Sequence, residues 1–314
     1  MLTRIFFATD IHGSDKCWIK FLNAGDYYQA DVIILGGDMT GKGIVPIVEQ
    51  PDGTCKATFL DHKEILNSVA EVEQLEKKIR ATGLYPHRTS KKEMEEFEAN
   101  PGKVDELFNS LMFQSVEKWM KTADERLKGK KIKCFVCPGN DDRLEIDRII
   151  RGSQTVALSA EKTVMVDDHH EMISLGWSNP TPWHTFRECN EEEMRKKIAD
   201  LASQVRDMKN SIFNLHVPPF KSKLDEAPEL DETLKPKYAG QSTVPVGSVA
   251  VRESIERNQP LLCLHGHIHE GNGDCKIGRT LCLNPGSSYG QGVLMGYIIN
   301  VDEKHVKNFF STSG

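Results

Sequence analysis

Seven residues of the 314-residue chain combine metal-binding chemistry with an ordered spacing: Asp10 and His12, Asp38, Asn140, His216, and His267 and His269. Asp10 and His12 stand two apart, as do His267 and His269, so on or just past a strand each pair can face one way. No cysteine is among the seven, which disfavours a structural zinc site. Carboxylate, imidazole and amide together suit Mn²⁺, Fe or Zn²⁺ better than Mg²⁺ or Ca²⁺. Seven ligands are too many for one open ion and fit two ions that share a bridging carboxylate. Such sites hold their ions about 3.5–4 Å apart and activate water for in-line attack at phosphorus. Each motif alone is weak, and their conjunction carries the reading.

The elements that must position these residues are short apolar runs. Residues 5–8 precede Asp10, 32–35 precede Asp38, 132–137 precede Asn140, 212–215 precede His216 and 261–264 precede His267. Runs of this length, bounded by Gly or Pro, read as strands covered on both faces. Their carboxyl ends are where open α/β sheets bind ligands. Two further strands are predicted at 172–175 and 293–301. Ile65, Val69, Val72, Leu75 and Ile79 predict a helix with Asp61 as N-cap and Gly83 as stop. A wider apolar stripe runs from Val104 to Ala123, and a third from Met194 to Met208, opened by Asn190 with Glu193 in capping-box spacing. The charge runs 91–98 and 191–197 read as solvated helix faces. Segment 221–250 has no period and reads as a long loop.

Composition bounds the class. With 39% hydrophobic and 27% charged residues the chain is neither disordered nor collagen-like. No stretch approaches the roughly 18 apolar residues of a membrane span. The apolar start at 5–8 is too short for a signal peptide, so the eight cysteines are expected to be reduced in a cytoplasm. A net charge of −6 argues against a nucleic-acid backbone as main partner while leaving nucleotides open.

In this order the residues resemble the calcineurin-like metallophosphoesterase superfamily: Asp10-x-His12, Gly37-Asp38, Gly139-Asn140, His216, Gly266-His267-x-His269 and then Asn284-Pro285-Gly286-Ser287. Ser178-Asn179-Pro180-Thr181-Pro182 and Gly266-His267-Ile268-His269-Glu270 are similar to a branch of prokaryotic phosphoesterases related to the Icc cyclic-nucleotide phosphodiesterase. The resemblance implies an α/β fold of two packed mixed β-sheets flanked by helices, a four-layer αββα sandwich with helical insertions. It implies that Asp10, His12 and His269 hold one metal, that Asp38 bridges, and that Asn140, His216 and His267 complete the second. The implied chemistry is hydrolysis of phosphomonoesters or phosphodiesters by a metal-bound hydroxide.

One position departs from the superfamily. Where many members have His after the Gly-Asn pair, this chain has Asp141. A carboxylic acid of ordinary pKa near 3.9, beside divalent cations, is ionised at pH 7 and donates protons poorly. Good leaving groups, or a diester positioned by both metals, would suit such a site. Asp142 would orient a ligand from behind. Arg143 and His184 are candidate substrate contacts. Lys42 and Arg187 are weaker ones; Arg143, His184 and Lys42 read more readily as surface residues, and His265 as one that packs beside the ligand pair or orients it. Cys134 and Cys137 read as buried structural thiols on opposite faces of a strand, and 271–274 as a hairpin turn.

The expected function is a metal-dependent phosphodiesterase acting on a small phosphoester, with Asp38, Asn140, Asp141, His216 and His267 as its catalytic group. Mn is favoured among Mn, Fe and Zn. A phosphomonoesterase on the same metals is an alternative, as is a non-catalytic scaffold that keeps the fold. A scaffold would be expected to lose ligands, and all seven are present. The chain reads as one domain over 1–314 with insertions at about 49–130, 178–210 and 221–250.

Overall fold

The computed structural model describes residues 2–314. The chain starts with β1 (Thr3–Ala8), α1 (Asp15–Tyr27) and β2 (Val32–Leu35). An excursion follows: β3 (Ile44–Glu49), β4 (Cys55–Phe59), β5 (His62–Leu66), α2 (Val69–Ala81) and β6 (Tyr85–Ser90), then α3 (Lys91–Ala99) and α4 (Pro101–Leu127). The chain returns through β7 (Lys133–Val136), α5 (Ile146–Arg151) and β8 (Val156–Leu158). A second sheet is built from β9 (Thr163–Met165), β10 (Glu171–Leu175), α6 (Glu191–Ala202) and β11 (Ile212–Leu215). After a ribbon of β12 (Glu226–Pro228) and β13 (Thr243–Pro245) come α7 (Val249–Asn258), β14 (Leu262–Leu264), β15 (Gly273–Ile277) and β16 (Thr280–Asn284). Finally β17 (Met295–Val301) and β18 (Val306–Ser313) rejoin the first sheet.

Two six-stranded mixed sheets form the frame, in the orders β18-β17-β1-β2-β7-β8 and β15-β16-β14-β11-β10-β9. The ligand-bearing strands are central and parallel: β1, β2 and β7 in one sheet, β11 and β14 in the other. They read as continuous apolar runs because alternate residues enter different cores. Ile5, Phe7, Val32 and Ile34 meet Met172, Ile212, Leu262 and Leu283 between the sheets. Phe6, Ile33, Leu35 and Val136 face outward onto Trp18, Phe21 and Trp119 of α1 and α4. Ile173, Leu175 and Phe213 face outward onto Met194, Ile198, Val251 and Ile255 of α6 and α7. The result is the expected helix–sheet–sheet–helix sandwich. No helix among the described residues is long and apolar enough to cross a membrane.

Local expectations fail where turn chemistry overrides periodicity. The helix expected to include Ile65 begins at Val69, capped by Ser68, whose side chain accepts from the Glu71 amide. Leu60 and Asp61 have φ of 49° and 63°, the paired left-handed turn that joins two antiparallel strands, so Ile65 lies on β5. The insertion at about 49–130, read as helical and loop segments, therefore also carries β4, β5 and β6, which join β3 in a four-stranded sheet, β5-β4-β3-β6, with its own core of Val45, Ile47, Val72, Leu75 and Ile79. Segment 221–250 contains the β12–β13 ribbon. Residues 271–274 are not a hairpin turn; β15 begins at Gly273 and turns at Gly278, whose φ is 62°. The Asn190 cap is as expected, its side chain accepting from the Glu193 amide.

Helix α4 roofs the first sheet. Trp119 stacks on Trp18 at 5.0 Å between centroids and donates its indole N–H to Asp15 at 2.5 Å. Replacing a buried aromatic of this kind by Ala costs about 3–5 kcal/mol. Trp119→Ala is expected to lose that much in urea unfolding, and a loss under about 1 kcal/mol would show that α4 is only appended.

Candidate metal centre

All seven residues arrive at one end of the sandwich because each follows the carboxyl end of a central strand. Past the strands, the β1 and β2 loops remain paired: the Asp10 amide donates to the Gly37 carbonyl and the His12 amide to the Asp38 carbonyl, both at 3.0 Å. Asp10, His12, Asp38 and His267 have φ of 52°, 36°, 46° and 66°. Left-handed backbone is uncommon for residues with a Cβ, and such strain persists only where the surroundings impose it. Close approach is built in as well. A Cβ at Gly139 would fall 2.2 Å from an Asp38 oxygen, and one at Gly266 would fall 2.3 Å from an Asp10 oxygen.

Two triads result. Asp10, His12 and His269 bring ligand atoms within 4.8 Å of one another, as do Asp38, His216 and His267. Asp38, a member of the second triad, also reaches the first: its Oδ2 is 3.3 Å from His216 Nε2 and 3.7 Å from His12 Nε2. Asn140 Oδ1 faces His267 Nδ1 at 2.7 Å and His216 Nε2 at 3.1 Å, which places the amide oxygen with the second triad.

Surrounding groups hold these donors in place. The Asp142 carboxylate accepts from the Met39 and Thr40 amides, the Thr40 hydroxyl and the Gly139 amide, tying the Asp38 turn to the Asn140 turn. Thr185 takes the Asn140 amide N–H at 2.9 Å and itself donates to Glu188, so the Asn140 oxygen is left to face the imidazoles. Asn284 donates to the Gly266 and Ile268 carbonyls, and Ser287 donates to the Asp10 carbonyl at 2.6 Å. Outer contacts of this type fix ligand orientation in metal sites.

The donors fit divalent ions. His12 Nε2 and His269 Nε2 are 3.0 Å apart, so two nitrogen lone pairs converge unless a proton or a cation lies between them. His12 Nδ1 and His216 Nδ1 are buried with no hydrogen-bond partner among the described residues. Burial opposes ionisation of Asp10 and Asp38, yet the neighbouring His216 imidazole holds both carboxyls well below their ordinary range. Burial would likewise lower His216, but Asp38 and Asp10 raise it to about 9. Burial holds His12 at about 3 and His267 at about 4, so these two are already neutral donors.

The remaining candidates separate. Asp141 is at the site, its amide donating to Asp38 Oδ1 at 2.9 Å. Burial and the Asp38 charge push its carboxyl up to about 6, against the ordinary value assumed from sequence. Lys42, discounted from sequence, reaches Asp141 at 2.7 Å. Tyr289, which no motif marked, lies 4.7 Å from the His12 ring. Arg143 stacks on Phe186 at 4.3 Å. His184 is exposed, and the contact from its loop to Asn140 is made by Thr185. Arg187 is buried, bound to the Asp142 carbonyl and to Asp147.

The frame and the order of its ligands agree with the resemblance to the metallophosphoesterases. No family model matches the chain. An uncharacterized protein of Methanocaldococcus jannaschii, MJ1162, is 31% identical over 150 residues, 47% of this chain and 61% of that one. The chain thus spans about three-fifths of the length of that relative. The crystal structure of TT1561 of Thermus thermophilus has a TM-score of 0.52 at 12% identity over 99% of both chains, and shares the fold. A novel archaeal phosphodiesterase is a looser match, with TM-score 0.34 at 9% identity over 99% of this chain and 100% of that one.

An ion held by His216 must displace its proton, because ligating imidazole is neutral. Metal affinity of the apo-protein is therefore expected to rise about tenfold per pH unit from pH 7 and to level off near the His216 value of about 9. Calorimetric titration with Mn²⁺ in buffers of different ionisation enthalpy checks this, and a flat profile would contradict it.

Proposed function

We propose that the chain is a metal-dependent phosphoesterase with a dinuclear site, and that it acts on phosphodiesters. The observation that carries this reading is that Asp38 belongs to one carboxylate–imidazole triad and also reaches His12 of the adjacent one. Bound there, two divalent ions would supply a water acidic enough to attack phosphorus near neutral pH and would offset charge on the phosphoryl oxygens. Manganese is the favoured metal from the donor set, and a cytoplasmic location from the unpaired cysteines.

The chain's own groups decide what kind of ester suits the site. Asp141 stands where a proton-donating His would stand in many relatives of this type. Its carboxyl stands near 6 in the metal-free chain, and divalent ions bound beside it would lower it, so in the loaded enzyme it is ionised at pH 7. Burial works against the charge on Lys42, yet Asp141 and Asp38 raise its pKa above the ordinary lysine value, so it stays an ammonium. Lys42 thus binds and neutralises a phosphoryl oxygen rather than delivering a proton. With little acid catalysis from the protein, leaving groups that depart without protonation are preferred. Exposed Trp183 and Phe186 flank Thr185 beside Asn140 and offer an apolar lip for a second organic substituent, which supports a diester.

The test is hydrolysis of bis(p-nitrophenyl) phosphate against p-nitrophenyl phosphate by the manganese-loaded protein. A higher kcat/KM is expected on the diester, and preference for the monoester would favour a phosphomonoesterase on the same ligands. Asp38→Asn is expected to lose more than the roughly 100-fold that removal of an outer-shell partner costs. Lys42→Met is expected to raise KM more than it lowers kcat, the pattern of lost ground-state binding. Undiminished turnover by Asp38→Asn without added metal would overturn the mechanism.

A further inference from the structure

The outermost strand of the first sheet is β18, which has β17 on one side and no strand on the other among the described residues. It runs for eight residues. The other edge strands of the two large sheets are shorter: β8 and β9 have three residues each, and β15 has five, with Asp274 and Lys276 among them. Soluble proteins commonly blunt an open edge by shortness, proline, charge or a bulge. β18 has no proline, its one charge is Lys307 near its start, and its pairing with β17 is unbroken from Asn308 to Ser313.

The register shows which backbone groups of this edge face outward. Leu294 and Gly314 exchange both of their backbone hydrogen bonds, at 2.7 and 3.1 Å. Residues that do so alternate along an antiparallel pair, so Thr312, Phe310 and Asn308 turn their amides and carbonyls to β17. Lys307, Phe309, Ser311 and Ser313 turn theirs away from it. Side chains alternate between the faces. Phe309 packs on Tyr297 between the sheets, at 6.1 Å between ring centroids. Phe310, opposite Ile298, lies on the outer face and is 56% exposed.

We infer that β18 pairs antiparallel with β18 of a second copy of this chain, joining the two first sheets across a two-fold axis. One register pairs every outward group: Lys307 meets Ser313 and Phe309 meets Ser311 across the two copies, each pair exchanging both bonds. The axis then passes through Phe310. Its ring meets its own counterpart in a non-hydrogen-bonded pair, where cross-strand side chains come closest and aromatic pairs are favourable. Lys307 stands opposite Ser313, so no like charges face one another. The strand is thus complementary to itself, as a two-fold interface requires. Because β18 runs parallel to β1, the two metal centres lie at opposite ends of the joined sheet. The inference is independent of the phosphoesterase reading.

Sedimentation equilibrium of the whole chain tests this. A dimer of twice the 35.3 kDa chain mass is expected in the micromolar range. Ser311→Pro removes an outward amide and leaves the bonds to β17 in place, while Phe310→Asp sets two carboxylates against each other on the axis. Both variants are expected to sediment as monomers with the far-ultraviolet dichroism of the wild type. Hydrogen exchange of the wild type gives a readout that needs no variant. The Phe309, Ser311 and Ser313 amides are expected to exchange more slowly as concentration rises and the dimer fills. A wild type that stays monomeric throughout the micromolar range would overturn the inference. So would a dimer that survives both substitutions, or one in which those amides exchange as fast as in the dilute monomer.

Discussion

The structure depends on keeping two carboxylates ionised where water is largely excluded. Asp10 and Asp38 are 1% and 2% exposed, and a buried carboxylate is costly unless charge and hydrogen bonds surround it. Four imidazoles, a set of loop amides and an ammonium supply that surrounding. The imidazoles come from both sheets, so the carboxylates can be held only if the sheets are packed in one relative position. Left-handed backbone at four ligand residues reflects the same demand. The sandwich imposes conformations that the loops alone would not keep.

Much of this arrangement was legible because it is written in local pattern. Apolar runs ending in Asp, Asn or His told both where the strands lie and which end carries chemistry. Central parallel strands bury both faces, so their sequences have no polar alternation to blur the signal. The helix at 191–202 was readable for the same reason, since its cap and its stripe agree.

What escaped was decided by long-range contact or by turn conformation. Ile65 fits a helical stripe, yet the left-handed pair Leu60–Asp61 turns the chain into a hairpin first. Lys42 and Tyr289 have no motif and come to the centre only because the loops after β2 and β16 meet there. The raised carboxyl of Asp141 in the metal-free chain was not legible because it depends on burial beside Asp38, more than 100 residues away in sequence.

The central claim is that Asp38 joins two metal positions. Anomalous diffraction from crystals of the manganese-loaded protein tests it most directly. The account predicts two peaks about 3.5–4 Å apart, one against Asp10, His12 and His269, the other against Asn140, His216 and His267, with Asp38 touching both. A single peak, or two that do not share Asp38, would contradict it.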